Sequence, residues 1–197
     1  MNELSVIDLD GTYVRCNTLH VYIRCGIRRM CARFRLLPLV KTLSLFVMRR
    51  CGLIDHATMK FGVSELIDSD DAVLRDDFVG RVSSEINVEL SDRLAAGNTQ
   101  VLLATAALDV YVPWIWNGNY VATKTFGNPA KTECKGEEKL SRVEEYMDGK
   151  GLTLREFYTD HIDDLPLIKK SPKVVLVNAD ESTKRSIRDM GISFEEM

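Results

Sequence analysis

The 197-residue sequence predicts an α/β fold, a doubly wound parallel sheet with a small α-helical insertion after its first strand. Two observations predict the sheet. Short apolar runs (Leu4–Ile7, Thr99–Ala104, Asn119–Ala122, Leu154–Tyr158 and Lys173–Val177) alternate with longer stretches of helical character, the pattern that stacks strands in parallel. Polar residues able to do chemistry follow several of these runs, where open α/β sheets bind ligands. A third observation predicts the insertion. From Thr12 to Ile54 there is no acidic residue, and nine cations are interleaved with apolar residues at helical spacing.

The whole chain narrows the class first. With 45% hydrophobic and 28% charged residues it has the composition of a globular protein, and its length suits one domain with an insertion. A formal net charge of −3 argues against a dedicated nucleic-acid binder. Cys16, Cys25, Cys31, Cys51 and Cys134 are odd in number and lack CxxC spacing, which points to reduced thiols in an intracellular protein. The first strand begins close to Met1 and leaves no room for a signal peptide. No apolar run reaches the roughly 20 residues that span a bilayer. A cytoplasmic location is the expectation, and no feature points to an obligate protein partner.

The first strand, Leu4 to Ile7, is rich in β-branched residues and is followed by Asp8-Leu9-Asp10-Gly11-Thr12. On a continued strand Asp8 and Asp10 would share one face. Two like charges so placed are costly unless a cation neutralises them or one takes a proton. Gly11 permits a sharp exit. The basic stretch that follows reads as two or three helices with a break near Leu37-Pro38, since the residue before proline is pushed out of the helical region. Residues 55–86 read as helical, acidic and conventionally amphipathic, with His56 a helix-start residue.

Asn87 to Ala96 reads as a helix closed by Gly97-Asn98. The strand Thr99 to Ala104 then ends at Thr105-Ala106-Ala107, where a hydroxyl and small residues opening a helix would seat a phosphate on backbone N–H groups. Trp114 to Gly118 reads as a loop before the strand at Asn119. A helix opens at Cys134-Lys135-Gly136-Glu137-Glu138-Lys139 and runs to about Met147. A cation here would offset the repulsion between bound phosphate and catalytic carboxylates; Lys131, Lys135 and Lys139 are all placed to supply it. After Tyr158 come Asp160-His161-Ile162-Asp163-Asp164, and two carboxylates four residues apart can serve one hard cation such as Mg²⁺. Glu181 to Met190 reads as the last helix.

Taken together, Asp-Leu-Asp-Gly-Thr at 8–12, Thr105, Gly-Glu-Glu-Lys at 136–139 and Asp160…Asp164-Leu-Pro-Leu resemble, in order, the four motifs of the haloacid dehalogenase (HAD) superfamily. The resemblance implies a HAD-type Rossmann-like core at 1–14 and 86–197 and a helical cap at 15–85 that selects substrate. It implies a Mg²⁺-dependent phosphatase in which Asp8 is the nucleophile, Asp10 the general acid/base, Thr105 and Ala106 the phosphate seat, and Lys139 the charge-balancing cation. Asp8, Asp160, Asp164 and the backbone carbonyl of Asp10 would hold Mg²⁺. Ala107 departs from the hydroxyl common at that place, and His161 from serine.

Within the superfamily the motifs are similar to the phosphoserine phosphatase-like branch, nearest to phosphatidylglycerophosphate phosphatase-like proteins. Two substrates follow as alternatives: a lipid phosphate, met through peripheral contact of residues 15–54 with the inner face of a membrane, or a small soluble phosphorylated metabolite. A catalytically silent binding module is the competing class. Survival of Asp8, Asp10, Lys139 and Asp160 together argues against it.

Overall fold

The computed structural model describes residues 2–97 and 99–197. Six parallel strands form one sheet: β1 (Glu3–Ile7), β2 (Gln100–Leu108), β3 (Asn119–Thr123), β4 (Thr153–Thr159), β5 (Val174–Leu176) and β6 (Glu195–Glu196), in the order β3-β2-β1-β4-β5-β6. The chain winds outward from β1 to β3, returns to β4 on the other side, and winds outward again. The order therefore reverses at β1, and the carboxyl end of β1 opens into the crevice that such a switch creates. Val6 lies opposite Leu102 on one side and Phe157 on the other.

Alternation along the strands divides the core in two, as side chains of period two require. Ile7, Leu103, Tyr158 and Val175 face one layer, while Leu4, Val6, Leu102, Phe157 and Leu176 face the other. The first face packs against helices α1 (Thr18–Ala32), α3 (His56–Leu66), α4 (Ala72–Ser83) and α5 (Val88–Ala96). The second is covered by α7 (Glu137–Lys150), α8 (Leu165–Lys170) and α9 (Glu181–Asp189). Helix α2 (Leu36–Arg50) packs over the helices of the first face.

The insertion leaves and returns at adjacent points. Arg15 N–H donates to Glu85 O and Asn87 N–H to Tyr13 O, both at 2.9 Å. An aromatic cluster of Tyr22, Phe78, Tyr111 and Trp114, with ring centroids 4.8 to 6.1 Å apart, joins α1 and α4 to the short helix α6 (Val112–Ile115) that follows β2.

Several expectations need correction. The break in the basic stretch lies at Arg33–Arg35, where Phe34 adopts φ 52°, and not at Leu37-Pro38. Pro38 falls in the first turn of α2, where a missing N–H removes no intrahelical bond and the carbonyl its ring would strike lies outside the helix. Thr105-Ala106-Ala107 opens no helix. It continues β2 through a register shift between Ala104 and Leu108, because Leu108 still pairs with Thr123 of β3. The stretch read as a loop from Trp114 contains the end of α6, and α7 begins at Glu137 rather than Cys134. Gly97 does cap α5, but Asn98 lies outside the described residues. The two-residue β6, acidic and unpredicted, is held by Arg93, Lys173, Lys184 and Arg188.

Candidate active site

β1 stops at Ile7. Asp8 extends the ladder by one bond, its N–H donating to Tyr158 O at 2.9 Å, and Leu9 begins a turn that closes when Val14 N–H reaches Leu9 O. Asp8 and Asp10 are thus presented by a closed loop rather than by a continued strand. Asp10 is fixed by the insertion: Thr18 N–H, the first helical amide of α1, donates to its Oδ1 at 2.8 Å. That amide has no partner within the helix, and the positive end of α1 favours the carboxylate.

Lys139 lies in the first turn of α7, 2% exposed, and its Nζ donates to Asp8 Oδ1 at 3.0 Å. The same ammonium meets Asp164 Oδ1 at 2.6 Å, and the other oxygen of Asp164 accepts from Thr159 Oγ1 at 2.8 Å. Asp164 therefore grips the lysine from behind. Of the alternatives, Lys135 pairs with Asp163 at 2.8 Å, and Lys131 takes up a left-handed turn conformation at φ 51°. Asp160 closes over Gly11. A Cβ on Gly11 would lie 2.0 Å from Asp160 Oδ2, and its φ of 78° also favours glycine. Thr12 Oγ1 reaches toward Asp160 Oδ1 at 3.4 Å. His161 is half exposed, and its Nδ1 accepts Asp163 N–H at 3.1 Å and lies 3.0 Å from Asp163 Oδ2.

The electrostatics follow from this crowding. Burial raises Asp8 to about 7 against the pull of Lys139, with Asp164 and Asp10 adding to the rise. Burial also raises Asp10, opposed by the Thr18 hydrogen bonds and the charge of Lys60, and raises Asp160. Lys139 loses to burial but gains more from Asp8 and Asp164, so its pKa is raised and it stays charged. Asp8, Asp10, Asp160 and Asp164 thus face Lys139 and, at Asp10, a Lys60 already paired with Glu133, a deficit of positive charge.

Thr105 is buried, and its Oγ1 accepts Ala107 N–H at 3.0 Å across the irregular stretch of β2. Ala106 O accepts from Thr123 Oγ1 at 2.7 Å and from Lys60 Nζ at 2.6 Å. Lys60, on α3 and 3% exposed, is a residue that sequence reasoning missed. It also pairs with Glu133 at 2.5 Å. His56, its Nδ1 3.9 Å away, and Lys60 against it overcome burial and hold Glu133 down at about 2. The available signal was that Lys60 is the lone cation between Arg50 and Arg75. A cavity of about 140 Å³ is lined by Asp10, Asn17, His20, Lys60, Ala106 and Lys135, with His56 and Glu133 at its wall. A groove of about 670 Å³ between Tyr120, Arg142 and Tyr146 holds none of the predicted site residues, so the smaller cavity marks the site.

Among the described residues no three His, Cys, Asp or Glu side chains form a ready-made ion cage. Mg²⁺ does not require one, since it keeps several waters and is held by one or two carboxylates. The oxygen-only donors Asp8 and Asp160, together with the deficit of positive charge around them, fit such an ion.

This architecture is a doubly wound parallel α/β fold with its cluster of buried and half-buried carboxylates at the switch point of the sheet. The family model of haloacid dehalogenase-like hydrolases matches residues 6–169, and the chain belongs to that family. A protein of unknown function from Bordetella pertussis Tohama I has the same fold, with a TM-score of 0.76 at 18% identity over 99% of both chains. A phosphoserine phosphohydrolase-like protein from Francisella tularensis gives 0.57 at 14% identity, over all of this chain and 95% of that one. A phosphoserine phosphatase solved as an analogue of its phospho-aspartyl intermediate gives 0.53 at 14%, over 96% of this chain and 98% of that one. No curated protein sequence matches the chain.

Proposed function

We propose that this hydrolase cleaves phosphate monoesters through an aspartyl-phosphate on Asp8, in a core of 1–14 and 86–197 with residues 15–85 as the cap. The observation that carries the reading is Lys139 held between Asp8 and Asp164 beside the Asp10 carboxyl. An Asp8 oxygen forms the new bond to phosphorus as the ester bond breaks, and the Asp10 carboxyl gives its proton to the departing alcohol. The burial that raises Asp10 suits it to carry that proton. Water then attacks phosphorus and gives a proton back to Asp10, which frees Asp8 and inorganic phosphate. Lys139 holds negative charge in both halves, and Thr105 with the backbone at Ala106 receives phosphoryl oxygens.

Asp8, Asp160 and the Asp10 carbonyl would hold Mg²⁺, with Asp164, whose oxygens are already taken by Lys139 and Thr159, acting through solvent. The ion, when bound, supplies charge neutralisation for the phosphoryl group. The fold shared with phosphoserine phosphatases favours a small soluble ester. The exposed basic and apolar helix α2 favours a second reading, a lipid-borne phosphate met at a membrane through residues 15–54, as in phosphatidylglycerophosphate phosphatase-like enzymes.

Hydrolysis of a generic aryl phosphate with Mg²⁺ tests the proposal. Asp8→Asn should fold normally and lose turnover by on the order of a thousandfold or more. Substantial activity in the folded variant would exclude Asp8 as nucleophile. Assay of soluble against lipid phosphates then separates the two substrates.

A further inference from the structure

Helix α2 presents to the outside what a helix normally hides. Of the thirteen large apolar side chains exposed among the described residues, eight lie between Phe34 and Leu53. Leu36, Val40, Leu43 and Val47 recur at steps of four, three and four, so they form one outward stripe, with Leu37 and Met48 beside it. The inward face is spoken for: Thr42 is buried, and Leu39, Leu45 and Phe46 pack on the core. Phe34 at 84% exposed and Leu53 at 71% extend the patch beyond both ends of the helix.

The charges separate into two groups. On α1 and the residue after it, Arg28, Arg29 and Arg33 pair with Asp77, Asp71 and Asp68 of α4 and the turn before it. Arg35, Lys41, Arg49 and Arg50 are exposed and make no ion pair among the described residues. The cations of α2 therefore have no acidic partner among the described residues, whereas of those on and just after α1 only Arg24 lacks one. A second copy of the chain is a poor occupant, because a twofold contact would set these like charges against each other.

We propose that α2 docks this protein on an anionic phospholipid surface, its apolar stripe entering the interface and Arg35, Lys41, Arg49 and Arg50 meeting the headgroups. The helix lies on the bilayer and does not cross it: fifteen residues give roughly 22 Å against a hydrocarbon core of about 30 Å, and no described helix is long and apolar enough to span. It runs directly into the turn before His56, which lines the cavity beside Asp10. The docking deepens the lipid-borne reading of the substrate and rests on it only for what the surface would deliver.

Co-sedimentation of the full chain with vesicles of phosphatidylcholine, alone or mixed with phosphatidylglycerol, tests it. The protein should bind the mixed vesicles and not the neutral ones, and added salt should release it. Leu43→Glu with Val47→Glu should lower partitioning at least about tenfold, and each of Lys41→Gln, Arg49→Gln and Arg50→Gln by roughly fivefold. All these positions are on the surface, so circular dichroism and hydrolysis of a soluble aryl phosphate should be unchanged. Repeating the binding with Asp8→Asn separates docking from chemistry, because vesicle binding should survive loss of turnover. Failure of the wild-type chain to bind mixed vesicles, or binding indifferent to the α2 substitutions, overturns the proposal. So does a dimer dispersed by Leu43→Glu that ignores vesicles, which would make the face a contact between copies.

Discussion

Gly11 and Asp160 show how little tolerance the site has for a single methyl group. Gly11→Ala places carbon where the Asp160 carboxylate stands and forces a left-handed conformation on a residue with a Cβ. The expected result is a stability loss of about 1–2 kcal/mol, read by thermal unfolding. The activity should also need more Mg²⁺, because Asp160 must move to make room. A fall in stability with an unchanged Mg²⁺ requirement would show that Asp160 has no part in holding the ion. That Asp8, Lys139 and Asp164 come together was expected from the order of motifs that resemble those of the family, whereas Thr105 lies inside β2 and not after it. Lys60 and Glu133 were not foreseen. Their meeting depends on α3 folding back across Ala106, a long-range event that no local pattern encodes.

Helix α3 is tied to the loop between β3 and α7 by that same pair, and its strength should depend on pH. The Glu133 carboxyl is at about 2 in the folded chain against an ordinary value of 4.5. A depressed carboxylate contributes stability in full above its unfolded value, and the contribution disappears as pH falls from 4.5 toward 2. Allowing for partial exposure, it is on the order of 2 kcal/mol. Chemical denaturation of wild type and Glu133→Gln should therefore differ near neutrality and converge in acid. Curves that stay parallel down to the lowest pH would assign the pair no net role. At this scale the sequence located most helices to within a few residues but misplaced the break before α2. It weighed a proline without the rule that a helix's first turn tolerates one.

For the molecule as a whole, the insertion and the sheet share one core. Tyr22, Met59, Val63 and Phe78 belong to the same cluster as Ile7, Leu103 and Tyr158. Heating should consequently give a single transition, with Trp114 and Trp116 fluorescence coinciding with the far-ultraviolet signal of the helices. Two separated transitions would mean that the helices of residues 18–83 melt as an independent unit. The parallel sheet was predictable from alternation, whereas its outermost strand was not, since two glutamates carry no strand signal and are held there by surrounding cations. Charge is divided unevenly over this common core. Residues 15–85 hold twelve cations against eight acids, and the remainder fourteen against twenty-one. Charge so divided gives a molecule an electric moment as well as a net charge, and an external field exerts a torque on such a moment before any contact is made. If α2 docks as proposed, an anionic surface would draw the cationic insertion forward and push the acidic remainder away. Collisions would then be weighted toward the orientation in which α2 arrives first.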